Sequence, residues 1–581
     1  MQFPSIKSAV SSLDTKVSKT TFGRVFRLEG SGHPKELKDS KFVTEIRAGL
    51  TTFFTMAYII AVNASIITQS GGTCVCTDAA DLTCSTDPEY AACLIEVNRD
   101  LITATAAIAG LGSFMFGFLT NLPVALAPGM GLNAYFTYQV VGFHGTGSVS
   151  YGLALTSIFV EGFIFLFLSL IGMRQWLVKV IPSSIKLASG AGIGLFLTEI
   201  GMSYSAGIGL ITGSYDTPTD LGGCAPQFRD PQSGDCLSHR MESPTLWIGV
   251  MCGGVLTAYL MSYKVKSAII IGIALVSILS WPRNTPFTYF PHTPSGDTMF
   301  SFFQKVITFQ PIQHLLAAND WDITQAGRHF ALALFTFLYV DIIDASATLY
   351  SMAGYAGVVD PSTGDFPRST LAYCCDAMTI SIGSLFGVSP ATAFIESGAG
   401  IAEGGRTGLT AMTTGLCFLL SIFFAPIFAS IPPWATGCTL VIVGCLMMPQ
   451  VAHINWSYLG DALPAFVTIA TMPLSYSVAY GLIAGLFTYT VLNSLIWITD
   501  LASGGRWQPP DFDRKQVWTA IPKGGTLPWF VRAAQAKTWR GKEAEIRSVA
   551  GNTEASELEL VDVDADAKRE SLKRIQSTRS Q

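Results

Sequence analysis

Two aspartates one helical turn apart lie within an apolar and aromatic stretch, FTFLYVDIIDAS at residues 335–346. Asp341 and Asp344 have no polar flank, because HFALAL precedes this stretch and ATLYSMAGYAG follows it. A charged side chain at the centre of a membrane helix costs about 2.5–3.5 kcal/mol, so acids at such positions are candidates for function. The chemistry open to them is to carry a proton, to bind a cation or to hydrogen-bond a ligand.

The composition indicates that the surroundings of these acids are lipid. Hydrophobic residues make up 49% of the chain and charged residues only 13%, against about 25% charged in ordinary soluble domains. Lys and Arg concentrate at the two ends, and apolar runs long enough to cross about 30 Å of hydrocarbon lie between them. The alternative, a soluble all-helical protein with an unusually apolar core, fits this charge distribution poorly.

We therefore predict an all-α polytopic membrane protein with fourteen transmembrane segments. The segments are 49–67, 101–120, 122–141, 151–172, 184–203, 244–263, 267–281, 327–350, 369–387, 388–402, 407–430, 433–449, 461–473 and 475–497. Basic residues mark the cytoplasmic side of a membrane protein. An even number of crossings then places both tails, 1–48 and 501–581, in the cytoplasm. Residues 1–40 and 501–581 have no sustained apolar periodicity, which predicts disorder.

Cysteines give an independent indication of sidedness. With the N-terminus inside, the loop after the first segment and the loop after the fifth face the exterior, where disulfides persist. The candidates for disulfide bonding are Cys74, Cys76, Cys84, Cys93, Cys224 and Cys236. The four cysteines of the first loop allow three pairings, which the sequence leaves open. A zinc site there is the competing interpretation.

An internal repeat organises the membrane region. FTMAYIIAVNAS at 54–65 matches FTFLYVDIIDAS at five positions, and Asn63 aligns with Asp344. PVALAPGMG at 123–131 and PATAFIESG at 390–398 both begin at Pro and reach Gly eight residues later. Seven segments separate the two copies, so the second copy is inverted, as in many secondary transporters that bind substrate near the midplane.

The Pro- and Gly-rich segments three and ten predict where the substrate binds. Pro removes a backbone donor and Gly permits non-helical backbone, and at membrane depth such backbone must be buried in protein or line a cavity. Asn133 follows one break, and Glu396 lies inside the other. The alternative is that Pro and Gly only kink two packed helices. We predict that Asn133, Glu396, Asp341 and Asp344 converge on one cavity.

Three further acids are weaker candidates. Asp376 on segment nine is a candidate for a proton-linked role, and Glu161 and Glu199 lie on segments four and five. The alternative for these three is a position at a helix boundary, from which the carboxyl group reaches water. For the central acids the alternative is a structural salt bridge, although no Lys or Arg lies mid-segment to pair with them. We also predict that the protein is not an enzyme and that it uses no metal or cofactor, the coupling ion being a proton. No nucleic-acid partner is predicted.

Three motifs carry a resemblance to a known family. The runs ESGAGIAEGGRTGLTA (396–411), LAPGMGLNAYF (126–136) and YVDIIDAS (339–346) resemble the AzgA-like purine transporters of the nucleobase–ascorbate superfamily. The similarity covers 49–497. Other branches of the superfamily carry a Gln-His pair in segment one, where this chain reads AYIIAVNAS without His, which fits the AzgA-like branch.

The resemblance implies a fold of two inverted seven-segment repeats, with short strands before half-helices three and ten. A core (49–172 and 327–430) would hold the substrate and move in an elevator-like manner against a gate (184–281 and 433–497). By matching motif, the residues implied to bind purine are Asn133, Asp341 and Glu396, with Gly131 shaping the pocket and Asp344 supporting transport. The resemblance also implies proton-coupled uptake of hypoxanthine, adenine and guanine across the plasma membrane, by a homodimer formed through the gate. An anion or other small-solute exchanger of the same fold is the alternative function.

Overall fold

A computed structural model describes residues 6–34, 36–75, 87–172, 182–204, 207–213, 219–229, 235–265, 267–323, 327–358, 366–504 and 507–515. The first ten helices and three strands are α1 (Ile6–Ser18), α2 (Thr21–Val25), α3 (Phe42–Met56), α4 (Tyr58–Thr68), α5 (Pro88–Thr120), β1 (Leu126–Pro128), α6 (Met130–Ala134), α7 (Tyr151–Ile171), α8 (Ser183–Met202), β2 (Ile211–Thr212), β3 (Asp220–Leu221), α9 (Pro244–Ile248) and α10 (Leu256–Ser262). The remaining elements are α11 (Ala268–Ser280), α12 (Pro294–Phe303), α13 (Gly327–Tyr355), α14 (Ser369–Leu385), β4 (Ala391–Ala393), α15 (Ser397–Ala402), α16 (Gly408–Ser421), α17 (Ala425–Phe428), α18 (Pro433–Met447), α19 (Leu459–Leu474) and α20 (Val478–Ser503).

Irregular helical turns continue several of these helices. A π-helix at Tyr135–Val140 extends α6, and a second one at Gly249–Val255 joins α9 to α10. Short 3₁₀ turns lie at Phe143–Gly145, Pro226–Phe228, Ile422–Phe424, Met448–His453 and Phe512–Arg514.

The predicted fold class is confirmed: over the residues that the structure describes, the protein is all-α apart from four very short strands. Helix lies within every one of the fourteen predicted segments. Over the described ranges, nine helices are long and apolar enough to cross a membrane, so the count of fourteen crossings stays a prediction. Strands β1 and β4 precede the short helices α6 and α15, as the family resemblance implies. The helices of each predicted range, core or gate, pack mainly against one another.

Glycines allow the closest helix crossings within both ranges. A Cβ added to Gly415 on α16 would lie 2.6 Å from the carbonyl oxygen of Gly110 on α5. One added to Gly437 on α18 would lie 2.6 Å from the carbonyl oxygen of Gly201 on α8. Small residues let helix backbones approach closely where lipid supplies no hydrophobic driving force. These contacts fix the distances between the packed helices.

The expectation of disorder in the N-terminal tail is wrong for its described residues. The Asp14 carboxylate on α1 accepts a hydrogen bond from the Val43 amide of α3 at 2.9 Å. Phe26 and Leu28 are buried against Leu409 of α16. A few apolar residues that dock onto the membrane region order this tail, and such docking leaves no periodic signal in the sequence.

A buried carboxylate joins the start of the membrane region to the loop before α16. Glu45 on α3 is completely buried and accepts hydrogen bonds from the Arg406 amide (3.0 Å), the Thr407 amide (3.1 Å) and the Thr410 hydroxyl (2.6 Å). Free N–H groups at a helix start are stabilised by a carboxylate. Glu45 therefore caps α16.

Each of the two predicted exterior loops contains a disulfide. Cys74 is bonded to Cys93, and Cys224 to Cys236. Cys76 and Cys84 lie outside the described residues, as does the chain beyond residue 515, for which disorder was predicted. The six free cysteines of the described part are Cys252, Cys374, Cys375, Cys417, Cys438 and Cys445.

Candidate functional site

The two Pro- and Gly-rich breaks meet. Strands β1 and β4 pair antiparallel, with Leu126 opposite Ala393, the direction expected when the second repeat is inverted. The Gly129 amide donates to the Pro390 carbonyl at 2.9 Å, and the Phe394 amide donates to the Ala125 carbonyl at 3.1 Å. Each break thus supplies hydrogen-bond partners to the other.

Two serines complete the hydrogen bonding of this irregular backbone. The Ser113 hydroxyl on α5 accepts from the Leu126 amide and donates to the Leu126 carbonyl, both at 2.9 Å. The Ser397 hydroxyl accepts from the Ala125 amide at 3.0 Å. Unsatisfied backbone groups at membrane depth cost several kcal/mol each, and these contacts remove that cost.

Glu396 is the residue immediately before α15. Tyr58 on α4 donates its hydroxyl to Oε1 of Glu396 at 2.8 Å, while Oε2 has no hydrogen-bond partner among the described residues. Tyr58 was missed as a site residue by the sequence reasoning. The signal was present, because Tyr58 is one of the five matches between the repeats, aligned with Tyr339.

Asn133 on α6 is completely buried beside the opposite break. Its Oδ1 accepts a hydrogen bond from Ser389, the residue before Pro390. Its Nδ2 has no partner in the described part of the chain. Buried polar atoms nearly always find a partner, so the free Nδ2 is a donor available to a ligand.

Asp341 and Asp344 on α13 lie in different surroundings. Asp341 is completely buried, and neither carboxyl oxygen has a hydrogen-bond partner within the described ranges. Asp344 is half-buried and accepts from the Thr392 hydroxyl on β4 at 3.3 Å. Its carboxyl group also interacts electrostatically with Glu396. Asp344 is therefore hydrogen-bonded to the paired strands, whereas both carboxyl oxygens of Asp341 remain available as acceptors.

The three weaker candidates separate into two places. Asp376 on α14 and Glu161 on α7 are completely buried, and the charges of both act on Asp341. Glu199 lies on α8 in the predicted gate, where its charge acts on Tyr476. The structure thus places Asp376 and Glu161 beside the central acids and leaves Glu199 apart.

Gly131 lies where the predicted core touches the predicted gate. A Cβ at Gly131 on α6 would stand 2.7 Å from Cγ2 of Ile193 on α8. A contact this short forces the neighbouring side chain or helix to shift. A larger residue at this position would require the Ile193 side chain or α8 to move.

This architecture is that of a multi-pass membrane transporter. It combines an apolar helical protein, two helix breaks that pair with each other, and buried acids and an amide beside them. The sequence profile described as the permease family, that of the xanthine/uracil permeases, matches residues 90–483. The chain belongs to this family. Its membership makes the protein a transporter and not an enzyme.

Three relatives illustrate the range of the family. An Aspergillus versicolor protein named efflux pump notK′ is 58% identical over 554 residues, which cover 94% of each chain. C887.17 of Schizosaccharomyces pombe, named as a candidate xanthine/uracil permease, is 57% identical over 527 residues, or 91% of this chain and 84% of the relative. The guanine/hypoxanthine permease PbuO of Bacillus subtilis is 32% identical over 486 residues, or 82% of this chain and 95% of the relative.

Proposed function

We propose that this protein takes up purine nucleobases, namely hypoxanthine, guanine and adenine, across the plasma membrane together with protons. The observation that carries the proposal is a set of buried polar atoms without hydrogen-bond partners among the described residues: Nδ2 of Asn133, both carboxyl oxygens of Asp341 and Oε2 of Glu396. Support for purine as the ligand comes from the names of relatives such as the guanine/hypoxanthine permease. Adenine is included on the resemblance of the motifs.

The chemistry of these atoms matches the edge of a purine. A purine presents ring and exocyclic N–H donors together with ring nitrogen and carbonyl acceptors. A carboxylate is an acceptor, and an Asn side chain supplies both a donor and an acceptor. Glu396 and Asp341 would accept from N–H groups of the base, and Nδ2 of Asn133 would donate to it. An analogue lacking one of these groups would leave a buried atom unpaired, which is a strong source of specificity.

Proton coupling supplies the energy for uptake. One proton that enters with a neutral purine gains about 2.3 kcal/mol per 100 mV of membrane potential. Since 1.4 kcal/mol is a factor of ten, this supports roughly a fortyfold gradient of purine. In this proposal both termini lie in the cytoplasm, the core moves in an elevator-like manner against the gate, and the protein is a homodimer.

The test is uptake of radiolabelled hypoxanthine, guanine and adenine in a cell that lacks its own purine transporters, with and without a proton uncoupler. We expect uptake of each base that the uncoupler abolishes. Because one relative is named an efflux pump, preloaded cells should be followed in parallel. Loss of labelled purine from preloaded cells without inward accumulation would reject the direction proposed here, and uptake insensitive to the uncoupler would reject proton coupling.

A further inference from the structure

One buried glutamate has no place in the purine-binding set. Glu161 on α7 is completely buried, and neither carboxyl oxygen has a hydrogen-bond partner among the residues that the structure describes. Burying such a group unpaired and charged is too costly unless something compensates for its charge. The side chain therefore requires a ligand that the neighbouring protein groups do not supply.

The packing of α7 on α14 brings a second acid to Glu161. The residue after Glu161 is Gly162, and a Cβ there would lie 2.7 Å from the carbonyl oxygen of Ala377. The Ser381 hydroxyl of α14 donates to the Phe159 carbonyl of α7 at 3.1 Å. The two helices are thus in close contact next to Asp376, whose charge acts on Glu161.

Helix α13 also packs against α7, and charge interactions link the pair to the acids of α13. Asp341 interacts with Asp376 and Glu161 on one side and with Asp344 on the other. Asp344 interacts in turn with Glu396. The five carboxyl groups form a series that runs from Glu161 to Glu396, with Asp341 in the middle.

Over the described residues, the charge that acts on Glu161 is that of another acid, Asp376. Besides tyrosines and cysteines, the ionisable side chains on the two helices packed against Glu161 are Asp376 on α14 and Arg328, His329, Asp341 and Asp344 on α13. Arg328 and His329 lie in the first turn of α13, more than ten residues before Asp341. Over the described ranges, the charges that act on Asp341 come from acids alone. Like charges that share a buried site cannot all be ionised, so the series carries at least one proton.

We propose that Glu161 carries the transported proton and that Asp341 transmits its charge state to the purine. The proposal rests on the proposed function and assigns its coupling ion to a residue. A proton from the exterior adds to the Glu161 carboxylate to form the neutral acid, and the same O–H bond breaks when water accepts the proton on the cytoplasmic side. Protonation of Glu161 removes a negative charge near Asp341. Proton and purine binding thereby become linked, and each changes the affinity of the other by the same factor.

Substitution of Glu161 by glutamine tests this assignment, because the amide keeps the size of the side chain and cannot take up a proton. We expect Glu161→Gln to lower accumulation of hypoxanthine against a gradient by about tenfold or more, the change that 1.4 kcal/mol of lost coupling produces. Exchange of internal for external hypoxanthine in preloaded vesicles should continue at a rate close to that of the unmodified protein, since exchange needs no net proton movement. Purine-driven acidification of the vesicle interior should disappear. Glu199→Gln is the matched control, and it should keep both accumulation and acidification.

Unchanged accumulation and acidification in Glu161→Gln would overturn the proposal, as would replacement of the proton by sodium in supporting uptake. A second measurement uses the unmodified protein and depends neither on the variant folding nor on purine transport. A hydrophobic carbodiimide reacts with a protonated carboxyl group in the membrane, and peptide mass spectrometry locates the adduct. We expect an adduct on Glu161 at neutral pH, and the absence of one would overturn the proposal. If the unmodified protein moves no purine but Glu161 is labelled, the substrate assignment fails and the protonated glutamate remains.

Discussion

At the scale of single residues, the side chains of the proposed site use one polar atom for a protein contact and leave the other available to a ligand. Glu396 gives one carboxyl oxygen to Tyr58 and keeps the other, and Asn133 gives its oxygen to Ser389 and keeps its amide nitrogen. The hydrogen bond to the protein fixes the rotamer of each side chain, and that rotamer sets the direction of the remaining polar atom. A polar group held in this way loses little conformational freedom when a ligand arrives.

Glu396→Gln should separate the contact with Tyr58 from the contact with the ligand. The glutamine oxygen can still accept from Tyr58, but an NH₂ group then faces a purine N–H in place of an acceptor. A hydrogen bond to a charged group contributes about 1.5–3 kcal/mol, so we expect the apparent affinity for hypoxanthine and guanine to fall at least about tenfold. The measurement is competition uptake, with surface expression followed by a fluorescent tag.

The matched control is Glu403→Gln, seven residues further along the chain. Glu403 follows α15 and forms a surface ion pair with Arg47 at 3.2 Å, and exposed pairs of this kind contribute about 0–1 kcal/mol. We expect near-normal uptake from it. Near-normal affinity for every purine in a well-expressed Glu396→Gln protein would remove Glu396 from the site.

Asp341→Asn and Asp344→Asn should differ in kind. Asp344 accepts one hydrogen bond from Thr392, which an Asn oxygen can still accept, so its variant should keep purine binding and lose transport rate. Asp341 keeps both oxygens for the ligand, so its variant should lose binding by about tenfold or more, as expected for a bond to a charged group. Apparent KM and maximal uptake rate distinguish the two. Equal and complete loss of binding in both variants would show that this division of roles is wrong.

At the scale of elements, two short helices and two short strands replace two continuous membrane helices. Pairing of β1 with β4 satisfies the broken backbone, and α6 then carries Asn133 on its second turn and Gly131 on its first. Because Gly131 contacts Ile193 on α8, the same short helix bears a ligand group and the contact with the gate. The proposed movement of the core along the gate would change this contact.

Gly131→Ala should therefore act through Ile193. Its methyl group would meet Cγ2 of Ile193 at 2.7 Å, and overpacking of this kind costs about 1–3 kcal/mol. We expect purine uptake to fall severalfold and the additional change Ile193→Ala to restore a large part of it. Uptake rates and surface expression of the two single variants and the double variant are the measurement.

Gly354→Ala on α13 is the control for adding a methyl group to a glycine of the core, because nothing lies within 4 Å of its added Cβ. It should leave uptake unchanged. If Ile193→Ala gives no recovery and Gly131→Ala changes only purine affinity, Gly131 lines the pocket and does not set the contact with the gate.

At the scale of the whole molecule, the loops after segments one and five are linked internally, and the N-terminal tail packs on the membrane region. Both disulfides lie in loops that the distribution of Lys and Arg predicts to be exterior. Phe26 and Leu28 hold the N-terminal tail against α16 on the other face. Disulfides therefore link residues within the loops on the predicted exterior side, whereas packing holds the tail on the predicted cytoplasmic side.

Alkylation of intact cells tests this sidedness. A membrane-impermeant, thiol-specific reagent should label Cys74 and Cys93 only after reduction, because the two are bonded and their loop is predicted to face the exterior. Peptide mass spectrometry locates the label, and Cys438, a buried free cysteine, serves as the control that stays unlabelled in both conditions. Labelling of Cys74 or Cys93 without reductant would contradict the disulfide, and no labelling after reduction would contradict the orientation.

The sequence by itself determined the membrane class, the positions of the helices, the two breaks and the central acids. Each of these is a local property, since an apolar run, a Pro-Gly cluster or an uncompensated aspartate can be recognised within a few residues of the chain. It also found the repeat, because two short stretches match directly. The ordering of the N-terminal tail escaped prediction, since only a few isolated side chains produce it.

Only the tertiary structure decided which polar groups face each other. Tyr58 meets Glu396 across 338 residues of sequence, and Ser389 meets Asn133 across 256. The grouping of Glu161 with Asp341, and the contact of Gly131 with Ile193, follow likewise from which helix faces come together. The sequence shows that a buried acid needs a partner, but the partner lies on another helix. Its identity is fixed by close packing between helices, which depends on the whole set of side chains and not on any one segment.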